Sequence, residues 1–111
     1  MDRAVQMRPF STDIDLIEGT MASPDRHVVR RASDMQGYYA DEASLERLIR
    51  EHGDPVHYEV FEKAIPETRG HLLLCISELQ PGRVGEECFM TKGHYHAVRD
   101  TAEVYWCLRG R

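Results

Sequence analysis

The chain has 111 residues, enough for one compact core and too few for two. Its 14 basic and 19 acidic residues give a net charge of −5 with neutral histidines, which removes the electrostatic case for a nucleic-acid partner. No apolar run approaches the roughly 18 residues of a membrane span, and Met1 to Pro9 lack the apolar stretch of a secretory signal, so a cytoplasmic protein without a membrane partner is expected.

Residues 1–27, broken by Gly19, Pro9 and Pro24, offer only short apolar patches such as Ile14, Leu16 and Ile17. They read as an extended arm with room for one strand. Over 41–52, Leu45, Leu48 and Ile49 recur at helical spacing, Asp41 can cap the amino end, and Gly53 follows where a left-handed residue is favoured. The pattern predicts one amphipathic helix, stopped by Gly53, Asp54 and Pro55.

Beyond Pro55 the periodicity changes to that of strands, over 56–63, 72–79, 86–91 and 102–108, with a turn at Pro81 and Gly82. Side chains alternate along a strand, so each has two faces to account for. In 72–79, Leu73, Cys75 and Ser77 share one face and Leu72, Leu74 and Ile76 the other, which predicts burial on both sides. In 102–108, Glu103, Tyr105 and Cys107 lie opposite Val104, Trp106 and Leu108. The second, apolar face needs cover, and a homodimer is the expected source of it. A mainly β protein follows, a single domain over 1–111 whose residues 56–111 begin a barrel.

Three cysteines, Cys75, Cys88 and Cys107, have no CxxC spacing and sit in apolar, strand-like runs. They read as inert buried thiols. His27, His52, His57 and His71 have no companion at ligand spacing and read as solvated surface residues.

The strongest chemical signal is Thr91-Lys92-Gly93-His94-Tyr95-His96 followed by Glu103. Two histidines two apart on a strand project to one side, where their imidazoles can share a metal at about 2.0–2.1 Å each. The spacer from His96 to Glu103 allows a short turn and a returning strand, giving a set of two histidines and one carboxylate. An HxH pair also arises by chance on a solvated strand. Here Glu103 is in phase with Tyr105 and Cys107 on the presumed inner face, where an unpaired carboxylate is costly and coordination relieves the cost.

These residues, with Ala102-Glu103-Val104-Tyr105 and Leu108-Arg109-Gly110, resemble the cupin-type glucose-6-phosphate isomerases of archaea and some bacteria. Arg31 to Tyr38, Asp54 to Val60 and Pro81 to Gly85 are similar to that family in the same order, so the resemblance runs over residues 30 to 110. Two departures from the wider cupin pattern stand out. Cys88 occupies the place of the first motif glycine, and the spacer before Glu103 is longer than the superfamily's.

The resemblance implies a cupin β-barrel of the jelly-roll, RmlC-like type, truncated here, with an N-terminal arm and one short α-helix. It implies a divalent metal, Fe2+ first and Mn2+, Ni2+ or Zn2+ as substitutes, held by His94, His96, Glu103 and a histidine from a second motif beyond Arg111. It implies a sugar phosphate gripped by Tyr58, Ser77, Thr91, Gly93 and Tyr105, and Glu103 as ligand or as the base of an aldose–ketose isomerisation. With the second motif outside the sequence, the 111-residue chain alone is expected to be inactive. The alternatives are a non-catalytic cupin that binds metal or sugar phosphate, and an iron-dependent cupin oxygenase.

Overall fold

The computed structural model describes residues 6–110. The first five residues of the expected arm, and Arg111, lie outside the described residues.

The helix, α1, spans Glu42–His52. Asp41 caps it: its carboxylate accepts from the Ser44 N–H at 3.0 Å and from the Ser44 hydroxyl at 2.6 Å. These bonds hold the Asp41 carboxyl below the usual carboxylate range. At the other end Gly53 takes φ 70° and its N–H bonds back to the Ile49 carbonyl, a conformation open to glycine at little cost. Leu45 is fully buried, and Leu48 and Ile49 pack beside it.

Two short strands, β1 (Ile14–Asp15) and β2 (Thr20–Met21), form an antiparallel hairpin inside the arm, where a single strand was expected. Three further strands, β3 (Arg26–Arg31), β4 (Val56–Glu62) and β5 (Cys75–Leu79), form one sheet in the order β3-β4-β5. Backbone bonds extend the pairing past the strand ends, from Asp25 N–H to Glu62 O and from Gln80 N–H to His57 O. A last hairpin joins β6 (Arg83–Val84) to β7 (Glu87–Cys88), with Gly85 at φ 61° in its turn.

The fold is therefore mainly β with one α-helix, and the described residues form no closed barrel. Several sequence expectations need correction. The strand expected over 72–79 contracts to β5: backbone pairing ends at the Leu74 carbonyl, which accepts from the Lys63 N–H, and Leu72 and Leu73 before it are exposed. The strand expected over 86–91 is only the two residues of β7. Residues 102–108 are irregular, and Val104, Tyr105 and Trp106 are exposed. Alternating side chains make a strand only where a partner pairs the backbone, and none of the described strands pairs there. All three cysteines are exposed, contrary to expectation, since apolar neighbours along the sequence do not say which face of a segment another layer covers.

The chain divides into two units, each assembled from separated stretches. The first takes residues 6–26, 61–76 and 94–110; the second takes 27–60 and 77–93. The second holds the hydrophobic core: Ala32, Met35, Tyr39, Leu45, Tyr58 and Val84, flanked by Leu48, Ile49, Val60, Phe89 and Met90. Among the described residues no helix is long and apolar enough to cross a membrane.

Candidate functional site

Three of the expected ligands fall in the first unit, on the irregular stretch 94–110. The His94 and His96 rings have centroids 5.9 Å apart, inclined by 50°. His96 Nε2 lies 3.0 Å from Glu103 Oε2. The seven-residue separation thus closes through a turn, as the spacing predicts, but without the returning strand.

The other nitrogen of His96 fixes what the first can do. Its Nδ1 is 2.8 Å from the Thr101 hydroxyl oxygen, and that hydroxyl donates to the Val98 carbonyl at 2.9 Å. With its single proton committed to Val98, Thr101 Oγ1 can only accept from His96, so Nδ1 carries the imidazole proton. A neutral His96 then points a lone pair from Nε2 at an ionised carboxylate, two acceptors facing each other. Only a cation between them relieves the contact. A proton is one such cation.

A metal is another: the His96 nitrogen and the Glu103 oxygen, 3.0 Å apart, are donors of the two kinds a divalent ion would take. Thr101 sets the tautomer and ring orientation of His96 through its bond to Nδ1. His96 and Glu103 thus supply one nitrogen and one oxygen donor of the kind a divalent metal takes. Yet among the described residues no three His, Cys, Asp or Glu side chains converge on one point. His96 and Glu103 are brought together; His94 stands beside His96 without joining them. A surface hollow of about 580 Å³ lined by Tyr95, His96, Val98, Arg99 and Asp100 gives access to this stretch.

The residues expected to grip phosphate are divided between the units. Tyr105 is in the first and is largely exposed. Tyr58, Ser77, Thr91 and Gly93 are in the second. There the structure joins Tyr58 to the loop it was expected to act with: its hydroxyl accepts from the Lys92 N–H, between Thr91 and Gly93, at 3.4 Å. Lys92 Nζ lies 5.2 Å from the centre of the Tyr38 ring, a cation–π contact that keeps a positive charge beside exposed Thr91 and Gly93. Ser77 is exposed on β5.

Sequence reasoning missed Thr101, whose signal was only a hydroxyl within the spacer, and it misplaced His57. Expected at the surface, His57 is fully buried in β4, its ring 3.9 Å from that of Phe89 and its Nε2 2.5 Å from the Tyr39 hydroxyl. His57 and the next residue, Tyr58, point to opposite faces of β4 and both are buried, so the alternation rule loses its solvent side.

Comparison with known proteins gives one consistent result. Residues 29–111 match the family described as glucose-6-phosphate isomerase. The chain is similar to the glucose-6-phosphate isomerase of Thermococcus gammatolerans, 48% identical over 104 residues, covering 94% of this chain and 53% of that protein. It is 45% identical over 103 residues to that of Thermococcus litoralis, covering 93% and 53% respectively. It is 37% identical over 103 residues to a putative glucose-6-phosphate isomerase of Rhizobium meliloti, covering 93% and 48%. The chain spans about half the length of these curated relatives.

Proposed function

Since the chain belongs to the glucose-6-phosphate isomerase family, we propose that the whole protein interconverts glucose 6-phosphate and fructose 6-phosphate with a bound divalent metal, Fe2+ in the first instance. The observation that carries the proposal is the contact of His96 Nε2 with Glu103 at 3.0 Å while Thr101 holds the Nδ1 proton. His94, His96 and Glu103 are the residues of this chain that would hold the metal, within the opening part of a cupin barrel. Bound there, it would supply Lewis acidity to polarise the sugar carbonyl.

The remaining work falls to the chain's own groups. The Glu103 side chain is 51% exposed, so its carboxylate is open to substrate and can take a proton from one sugar carbon and return it to the next. Tyr58, Ser77, Thr91 and Tyr105 bring hydroxyls and Gly93 a backbone N–H, groups that hydrogen-bond phosphate oxygens without needing a charge of their own. Because this chain aligns with half of its relatives, the test compares the 111-residue chain alone with a fusion carrying the unmatched half of the Thermococcus gammatolerans protein. Isomerisation coupled to NADP reduction is expected only from the fusion and only with Fe2+ or Mn2+. In D2O the fusion should place deuterium in the product if Glu103 carries the proton. A metal-loaded, folded fusion without turnover refutes the assignment.

The same proposal places the protein in the cytoplasm and makes it a homodimer. Val104 and Trp106 are 92% and 75% exposed, and burying two such side chains is worth on the order of 3 kcal/mol or more at about 25 cal/mol per Å2. Light scattering at micromolar concentration is expected to give twice the chain mass. A monomer counts against it.

A further inference from the structure

The second unit contains a buried pair that the isomerase reading does not use. Tyr39 is 4% exposed and His57 fully buried. The Tyr39 hydroxyl accepts from the Met90 N–H at 3.0 Å and lies 2.5 Å from His57 Nε2. One donor and one acceptor contact satisfy both only if Tyr39 donates to Nε2, which makes His57 neutral with its proton on Nδ1. That Nδ1 is buried with no hydrogen-bond partner.

The pair bears directly on the loop that carries Thr91 and Gly93. Consecutive residues of β4 reach it in parallel. His57 acts through Tyr39 on Met90 N–H and stacks on Phe89, while Tyr58 accepts from Lys92 N–H. Alternate amides of the segment 89–92 are thus tied to one strand.

We propose that Tyr39 and His57 form a positioning clamp that holds residues 89–92 for anion binding, and that protonation of His57 opens it. This rests on the reading of Thr91 to Gly93 as part of the phosphate site. A protonated His57 has two N–H donors and no free acceptor, so Nε2 must donate to Tyr39, whose own proton then has no partner, while Nδ1–H stays unsatisfied. Among the described residues no group facing the pair accepts from His57 Nδ1. Tyr58 lies on the same strand, Phe89 is apolar, and Glu87 acts on Tyr39 while its carboxylate is engaged with the Ala40 N–H.

Burial lowers the His57 pKa from its ordinary 6.5. The sign follows from linkage: between the lowered folded value and 6.5 the unfolded chain binds more protons, so stability of the clamped state is full above 6.5 and declines as pH falls below it. The lowered carboxyls, Asp41 among them, lose their contribution only below 3.8, which separates the two effects.

NMR of the 111-residue chain tests the clamp with two readouts, the exchange protection of the Met90 amide and the sulfate-induced shifts of the Thr91, Lys92 and Gly93 amides. Sulfate keeps its charge over the range used. Tyr39→Phe is expected to lower Met90 protection about tenfold at neutral pH, the scale of one lost hydrogen bond. In the unmodified chain Met90 protection should decline below pH 6.5, and sulfate affinity should follow at lower pH as the open state becomes populated, whereas His57→Gln, which keeps an uncharged acceptor for Tyr39, should flatten both profiles. Met90 protection indifferent to Tyr39→Phe and to pH overturns the clamp, as does sulfate affinity that falls equally in His57→Gln. Absence of any sulfate response overturns the phosphate reading and the acid release of anion with it, while Met90 protection still decides the clamp.

Discussion

Replacing Leu45 by alanine is expected to destabilise the second unit by about 2–5 kcal/mol, the range for removing a buried leucine side chain and leaving a cavity. The upper half of that range applies if the site cannot collapse. Leu45 has no exposed surface, and its surroundings, Met35, Tyr39, Tyr58 and Val84, come from the turn before α1, from β4 and from β6. Three separate elements would have to move inward to fill the void. Against a typical total of about 5–15 kcal/mol for a domain, the loss is a large fraction. Urea unfolding followed by far-ultraviolet circular dichroism checks it, since α1 is the one α-helix described. Trp106 belongs to the first unit and is largely exposed, so its fluorescence does not report on this core. Glu46→Ala, at an exposed position one residue on, is the control, expected within about 0.5 kcal/mol of the parent. Equal midpoints for the two variants would refute the assignment of Leu45 to the core.

What the sequence allowed to be read depended on how far each feature reaches along the chain. The helix needs nothing beyond its own residues: Asp41 caps, Leu45, Leu48 and Ile49 mark a face, Gly53 ends it, and the observed bounds differ from the expected ones by one residue. β4 was equally legible, ending at Glu62 where Lys63 was expected. The stretch 102–108 failed because alternation states only which side chains would share a face; the backbone bonds that make a strand come from another segment. His57 failed for the same kind of reason, since its burial depends on Tyr39 and Phe89, 18 residues before it and far beyond it in sequence.

The candidate site divides along the same line. The HxH spacing and the distant Glu103 announced a carboxylate beside an imidazole, and His96 and Glu103 do meet. No pattern announced Thr101, because a hydroxyl that fixes a tautomer needs only to be near, and the spacer between His96 and Glu103 holds Thr101 as its sole hydroxyl. The link between Tyr58 and Lys92 was invisible for want of any rule joining a strand residue to the backbone of a loop 34 residues away.

Thr101 allows the metal proposal to be tested by a graded series. Titration of the chain with Mn2+ or Co2+, followed by calorimetry in two buffers of different ionisation enthalpy, should show protons released on binding. Protons compete with a metal for the His96 nitrogen and the Glu103 oxygen, so affinity should weaken as the solution is acidified. His96→Ala and Glu103→Ala each remove a donor outright and are expected to cost about 100-fold or more in affinity, beyond the about 10–100-fold typical of an outer partner. Thr101→Val keeps the shape and deletes the acceptor for Nδ1–H. It frees the His96 ring to adopt the other tautomer and should fall within that outer-partner range. Thr68→Val, at a hydroxyl bonded to His71 in the same unit, should leave affinity within about twofold, since His71 is not among the proposed donors. The order of the series is what distinguishes a built site from loose association with surface histidines. If His96→Ala, Glu103→Ala and Thr101→Val all bind as tightly as the parent, the Nε2–carboxylate contact is only an ion pair, and the metal has to be sought elsewhere.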